Sequence, residues 1–202
     1  MDLFAAPDGE LWNLSRSDGR AFGELFERHA DSVYNHCFRR TGSWSRAEDL
    51  VSAVFLEAWR RRKDVRLSGD SILPWLIAVS NNVLRNEARA LRRHRRLLSQ
   101  LPRTESSGNR GRDVDQRLDD EGAMEVVLSR MKDLRIEEQE AIAMCDWVGL
   151  SYKEAADVLD VPIGTISSRI ARAHEHLRAR LGDDLQGRLV LQHPTNGPSE
   201  KI

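Results

Sequence analysis

A chain of 202 residues is long enough for one domain or two small ones. With 40% apolar and 31% charged residues, it is expected to be a soluble globular protein. No stretch approaches the roughly 20 consecutive apolar residues of a membrane helix, and the opening MDLFAAPDGELW has neither the basic start nor the apolar core of a signal peptide. No membrane insertion and a cytoplasmic location are therefore expected. Cys37 and Cys145 lie far apart, without CxxC or Cys/His spacing. That favours two reduced thiols in helix cores over a disulfide or metal site, so no cofactor is expected.

The net charge of −1 hides strong segregation. Between Arg85 and Arg103 stand seven arginines against Glu87 alone, and between Asp113 and Glu125 six acids against Arg117 alone. A second basic run, Arg169 to Arg180, holds four arginines and two histidines against one glutamate. Local charge sets the footprint on a polyanion, so the near-neutral total excludes little.

In chain order, helical periodicity predominates and no segment alternates like a strand. Residues 18–40 place Phe22, Phe26, Val33 and Cys37 on one face, with Leu25 and Phe38 beside them. After a turn at 41–44, Ser45 and Glu48 have capping-box spacing, and the helix they open carries Leu50, Val51, Val54, Phe55, Ala58 and Trp59. A polar segment, 63–71, precedes a long helix starting near 72–74, where Pro74 suits a first turn. Residues 100–121 combine Pro, Ser, Gly and acids with few apolar side chains, the composition of a flexible linker. Helical pattern resumes at 123–131 and 137–148. Ser151 and Glu154 form a second capping-box pattern, and a last helix carries Ile166, Ile170, Ala173 and Leu177 on one stripe. From 183 onward periodicity is lost.

The segment SYKEAADVLDVPIGTISSRIARAHEHL, 151–177, has the short helix, tight turn and second amphipathic helix of a helix-turn-helix. Its core pairing would join Ala155, Ala156 and Leu159 to Val161, Ile166 and Ile170. Thr165, Ser167, Ser168, Arg169 and Arg172 then fall on the opposite face. Small hydroxylic residues let a helix lie deep in a major groove, and arginines reach base edges or phosphates. Gly164 allows a phosphate to approach free backbone N–H groups. A plain helical hairpin with a solvated basic face is the alternative for this segment.

In the first half, a polar loop, an aromatic residue at a helix entry (Trp75) and a basic helix occur together. Asn81 and Asn82 precede Arg85, Arg89, Arg92 and Arg93. Aromatic faces accept unstacked bases, asparagine offers both donor and acceptor, and arginines supply phosphate attraction. A tryptophan such as Trp75 is by itself more often a core residue than a base platform, and a basic run by itself is usually a solvated face or an RNA-binding patch of no particular specificity.

Taken together, these segments resemble the extracytoplasmic-function class of sigma factors in the sigma-70 family of bacterial RNA polymerase. The stretch 46–60 (RAEDLVSAVFLEAWR) resembles region 2.2, and 74–82 (PWLIAVSNN) resembles regions 2.3–2.4. Residues 149–156 (GLSYKEAA) and 161–169 (VPIGTISSR) resemble region 4. The resemblance implies an all-α chain: region 2 at 18–98, an acidic linker at 99–121, region 4 at 122–181 and a disordered tail at 182–202. It implies that the helix with Asp49, Ser52, Glu57 and Trp59 docks on the clamp helices of the polymerase's largest subunit, and region 4 on its flap. Arg66, Ser68, Asp70, Ser71, Trp75, Asn82, Arg85 and Arg89 would engage the minus-ten element and a flipped base. Gly164, Thr165, Ser167, Ser168, Arg169 and Arg172 would engage the minus-thirty-five element as duplex. An anti-sigma factor is an implied partner. The chain departs from the family's usual residues at Ser52, Ala53, Asn86, Arg135, Gln139 and Ser167, the last standing where a basic residue is frequent.

Two other classes compete. A stand-alone helix-turn-helix regulator explains 151–180 but leaves the Trp75–Arg96 constellation idle. A helical carboxylate enzyme would need convergent acids, yet adjacent Glu48 and Asp49 point about 100° apart on a helix. No phosphate loop, His/carboxylate pattern or nucleophile elbow accompanies them. The expected activity is binding rather than catalysis.

Overall fold

The computed structural model describes residues 3–66, 70–98 and 115–181, and all regular structure among them is helical. After a short 3-10 turn (Leu3–Ala5), the helices are α1 (Asp8–Leu14), α2 (Gly19–Thr41), α3 (Trp44–Arg61), α4 (Leu73–Leu98), α5 (Asp115–Met131), α6 (Ile136–Ile142), α7 (Tyr152–Leu159) and α8 (Ile163–Leu181). A π turn, Ala143–Trp147, follows α6. Among these residues no helix is long and apolar enough to cross a membrane.

Helices α1–α4 close around one core. Leu25, Val33 and Cys37 of α2 meet Ala47, Leu50, Val54, Phe55 and Ala58 of α3, and Ile72, Leu76 and Val79 of α4. Phe26, expected on the same face, is partly exposed and instead sets its ring edge-on against Phe55, centroids 4.7 Å apart. Helix α1 lies in a segment for which the sequence pattern predicted no element, yet it supplies Leu11 and Trp12 to the core. Asp8 anchors it. Its carboxylate accepts from the Ile72 backbone N–H at 3.0 Å, pairs with His29 at 2.6 Å and meets Arg28 at 3.2 Å. Burial pushes the Asp8 carboxyl up, but these donors outweigh it and hold the group below its ordinary value.

The junction of α2 and α3 shows tertiary contacts replacing local ones. Gly42 ends α2 at φ 66°, a left-handed position that glycine adopts without strain. A Cβ there would also come within 3.0 Å of Leu128 on α5. The capping box expected at Ser45–Glu48 does not form: α3 starts earlier, with Ser43 at the N-cap and no side-chain cap bond. The Trp44 N–H donates instead to Glu121 of α5 at 2.8 Å. Helix α5 therefore begins inside the stretch expected to be linker through 121. Acids near its start favour a helix N-terminus, and Met124 packs against the first core. The rest of the expected linker, 99–114, and the expected tail, 182–202, lie outside the described residues.

Helices α6–α8 form the helix-turn-helix unit. The expected cap at Ser151 is present: Glu154 N–H donates to Ser151 Oγ at 3.2 Å, and Ser151 N–H donates to the Glu154 carboxylate at 2.8 Å. Asp160 ends α7 at φ 52°, reversing the chain toward Pro162 and α8. Ala155, Ala156, Ile166 and Ile170 are buried as expected, while Leu159 and Val161 are half-buried around them. The two units are in contact: Ile77 of α4 is fully buried in this second core, and Leu73 packs beside it.

Candidate nucleic-acid interface

The outer face of α8 is built by its own start. Pro162 carbonyl oxygen accepts the Thr165 N–H at 2.8 Å, and Ser168 Oγ donates to the Thr165 carbonyl at 3.0 Å. With Ile166, Ile170 and Ala173 turned inward, Ser167, Ser168 and Arg172 are exposed, and Thr165 and Arg169 are half-buried. A methyl added at Gly164 would meet nothing within 4 Å. The fold itself does not demand glycine there, and the position is open to approach from outside. Ile163, 51% exposed, and Tyr152, 42% exposed, stand at the starts of α8 and α7. Neither was a sequence-based candidate, because apolar side chains at helix starts look like core. Exposed apolar groups beside a groove-facing helix can meet thymine methyls.

Behind this face lies a polar anchor. Glu138 of α6 is buried, accepts the Arg135 N–H at 3.1 Å, and faces Arg172 Nε at 3.3 Å. Arg172 is thereby oriented from one edge of its guanidinium, and the rest of the fork stays on the open side.

The first-unit candidates divide into two groups. Asn82 and Arg89 are exposed on α4, and Arg66, Asp70 and Ser71 are exposed before it, while Ser68 lies outside the described residues. Trp75 and Arg85 have internal partners. Trp75 is half-buried and meets Trp12 edge-on, centroids 5.1 Å apart. Arg85 forms a two-pronged pair with Glu140 of α6, Nε to Oε1 at 2.6 Å and Nη2 to Oε2.

Asn81, next to the exposed Asn82, is buried, and its Oδ1 lies 3.1 Å from His36 Nε2. Burial pushes His36 down to about 3, with Arg40 and Arg39 adding to the effect and Asn81 partly offsetting it. A histidine neutral in the fold but protonatable once unfolded makes stability fall as pH drops below its ordinary value near 6.5. The expected loss is about 2 kcal/mol between pH 7 and pH 5. Urea denaturation at the two values checks it, with His36→Gln lacking this component.

On α3, Asp49 and Ser52 are exposed, and Glu57 is half-buried with its side chain toward Arg61. Trp59 is half-buried between Phe22, 5.1 Å away, and the guanidinium of Arg62, 3.4 Å over its ring. Leu56, 48% exposed, joins Asp49 and Ser52 on the outer face at helical spacing. It escaped the sequence-based candidates although it falls off the stripe of Leu50, Val51, Val54 and Phe55. Among the described residues no cluster of three or more His, Cys, Asp or Glu could hold a metal ion.

Comparison with known proteins fits this division. The sigma-70 region 2 family matches residues 25–96, and sigma-70 region 4 matches 124–177. The chain is 29% identical over 159 residues to the ECF RNA polymerase sigma factor SigE of Mycolicibacterium smegmatis, covering 78% of this chain and 60% of that protein. It is 29% identical over 195 residues to SigC of Mycobacterium tuberculosis, covering 93% and 100%. The chain thus spans about three fifths of the length of SigE, and likewise of BldN from Streptomyces coelicolor. CnrH, solved with the cytosolic domain of CnrY, shares the fold at TM-score 0.62 and 24% identity, covering 85% of this chain and 95% of that one. RpoE of Bartonella quintana, solved with the anti-sigma factor NepR, shares it at 0.60 and 21%, covering 82% and 99%. The order of the two matched regions, on the two helical units, places the chain in the extracytoplasmic-function class of the sigma-70 family of RNA polymerase sigma factors.

Proposed function

We propose that this chain directs RNA polymerase to specific promoters, as a binding factor without catalytic chemistry of its own. The observation that carries this is the pair of DNA-suited faces on separate units: the open face of α8, with Thr165, Ser167, Ser168, Arg169 and Arg172, and the basic α4 with Asn82 and Arg89. The first reads the minus-thirty-five duplex. The second, with Arg66, Ser68, Asp70, Ser71 and Arg85, engages the minus-ten element and holds the melted strand, at an unstacking cost of a few kcal/mol that polymerase contacts offset. Residues 18–98 act as region 2, 122–181 as region 4, and the chain between them as the tether. Asp49, Ser52 and Glu57, with Leu56 among them, form the surface for the polymerase clamp helices, and region 4 meets the flap. Trp59 supports that surface from beneath, and Trp75 supports the minus-ten loop in the same way.

The factor acts in the cytoplasm, where polymerase and promoter are. An anti-sigma protein is a further proposed partner, in keeping with the anti-sigma factor NepR bound to RpoE of Bartonella quintana. Two small modules on a tether bind DNA together only when something fixes their spacing, so free factor is expected to bind promoter duplex poorly. Run-off transcription with core polymerase on a genomic promoter library tests the reading. Initiation that depends on the factor and on sequence is expected. Specific duplex binding by the chain alone, without initiation, would replace this reading with that of a stand-alone regulator.

A further inference from the structure

Between α2 and α4 the first unit buries a polar pair that its stability does not call for. His36 is 1% exposed and Asn81 2%. Burial pushes His36 far below its ordinary value, so the ring is neutral. An amide oxygen only accepts, so the neutral ring carries its proton on Nε2 and donates to Asn81 Oδ1 at 3.1 Å. His36 Nδ1 and Asn81 Nδ2 are buried without a hydrogen-bond partner among the described residues. The faces around the pair are apolar: Val33 and Cys37 on α2, Leu76 and Val79 on α4, all in the first core.

A buried polar pair that leaves two groups unmatched adds less to stability than apolar side chains of the same shape would. What it adds is direction. Apolar faces tolerate small turns of one helix against another, whereas a hydrogen bond holds only near 3 Å and near linearity. Buried polar side chains fix register between helices in the same way. The register fixed here matters at the surface. Asn82 follows Asn81 about 100° further round α4 and is exposed, and Arg89 stands roughly two turns later on the same side, also exposed. A side-chain tip lies about 5–6 Å from a helix axis, so a turn of about 20° carries it about 2 Å. That displacement takes a base edge out of hydrogen-bonding reach.

We propose that His36 and Asn81 are positioning residues for strand capture: their buried bond sets the rotation of α4 on α2, and with it the angle at which Asn82 and Arg89 meet the melted minus-ten strand. The proposal rests on that face of α4 being the strand-binding one. Neither buried residue touches DNA, and both act through the exposed pair.

The test uses the full chain with core polymerase on a factor-dependent promoter recovered by run-off transcription. Three quantities are read: the urea midpoint of the factor, its affinity for polymerase, and open complexes, as permanganate reactivity of unpaired thymines. The double variant His36→Leu with Asn81→Leu is expected to keep or raise the urea midpoint and to keep polymerase affinity. Its open complexes are expected to fall about tenfold, the effect of losing one base contact. His36→Gln, whose side-chain N–H takes the place of the Nε2–H, is expected to retain open-complex formation. In an Asn82→Ala background the double variant is expected to lose well under that factor, because its effect passes through Asn82. A stable double variant with wild-type open complexes overturns the proposal. So do a His36→Gln that loses as much as the double variant, and losses that simply multiply with Asn82→Ala. If circular dichroism shows the double variant unfolded, Asn81→Ala removes the same bond by truncation, and a folded Asn81→Ala with full open-complex formation overturns the proposal equally. Unchanged open complexes in both Asn82→Ala and Arg89→Ala overturn instead the strand-binding role of α4.

Discussion

Trp12→Ala is expected to lower the stability of the chain by about 3–5 kcal/mol, the range for emptying a buried large aromatic site. The indole is 1% exposed. Its Nε1–H donates to the Val65 carbonyl at 3.0 Å, stitching α1 to the end of the segment after α3. Its ring meets Trp75 edge-on at 5.1 Å and Phe22 at 6.4 Å. Truncation therefore removes three things together: buried apolar area, aromatic contacts and one of the two donors to the Val65 carbonyl, which Arg16 Nη2 also reaches at 3.3 Å. Trp12→Phe separates them, because it keeps most of the packing and loses only the N–H. Its expected cost is about 0.5–1.5 kcal/mol, because Arg16 still donates to the carbonyl. Urea midpoints of the two variants check the pair, and equal midpoints for Trp12→Ala and wild type would mean that α1 does not belong to the cooperative unit. Because Trp75 opens α4 and rests on Trp12, the alanine variant is also expected to weaken minus-ten engagement more than minus-thirty-five engagement.

Why α1 escaped the sequence pattern is physical. Seven residues with two core side chains give no stable periodicity, and its anchors, Asp8 to Ile72 and Trp12 to Val65, are contacts across more than fifty positions of the chain. Local pattern holds no trace of such partners. The same holds for the start of α3, where Ser45 and Glu48 had the right spacing but Trp44 found Glu121 on another helix. The first half of helix α5 was hidden for a related reason: helical pattern is legible only from 123, and the acids before it look like a linker's until Glu121 is seen to accept the Trp44 N–H. The α7–α8 pair was legible because both its determinants are local. A serine–glutamate cap and a four-residue apolar stripe lie within 27 residues, and buried Ala155, Ala156, Ile166 and Ile170 follow from them. The outward placing of Ser167, Ser168 and Arg172 on that pair was legible for the same reason. Arg85 and Trp75 were identified as chemistry-bearing side chains, but their partners, Glu140 and Trp12, come from distant elements that no spacing could announce.

Ser167 offers a test with two signs at one position. It is exposed on the outer face of α8, one residue past the buried Ile166 and on the open side with Ser168 and Arg172. Substitution there leaves the core untouched. If this face enters the major groove, Ser167→Glu places a carboxylate against phosphates and base-edge acceptors. Initiation at promoters that depend on the minus-thirty-five element is then expected to fall by about 1–3 kcal/mol, roughly five- to 150-fold, with polymerase affinity unchanged. Ser167→Arg is expected to act in the opposite direction. One added phosphate contact should steepen the dependence of log affinity on log salt by about 0.9 and tighten binding at low salt. Its discrimination among promoters should relax, because phosphate attraction carries no sequence information. The salt slope of the polymerase–promoter complex separates this from a change in folding, since a merely destabilised α8 weakens binding at every salt concentration without altering the slope. Unchanged slopes and affinities in both variants would place the DNA on another face of the second unit. In that case Arg172, held by Glu138 at 3.3 Å, would be a structural arginine of the helix-turn-helix rather than a groove-facing one.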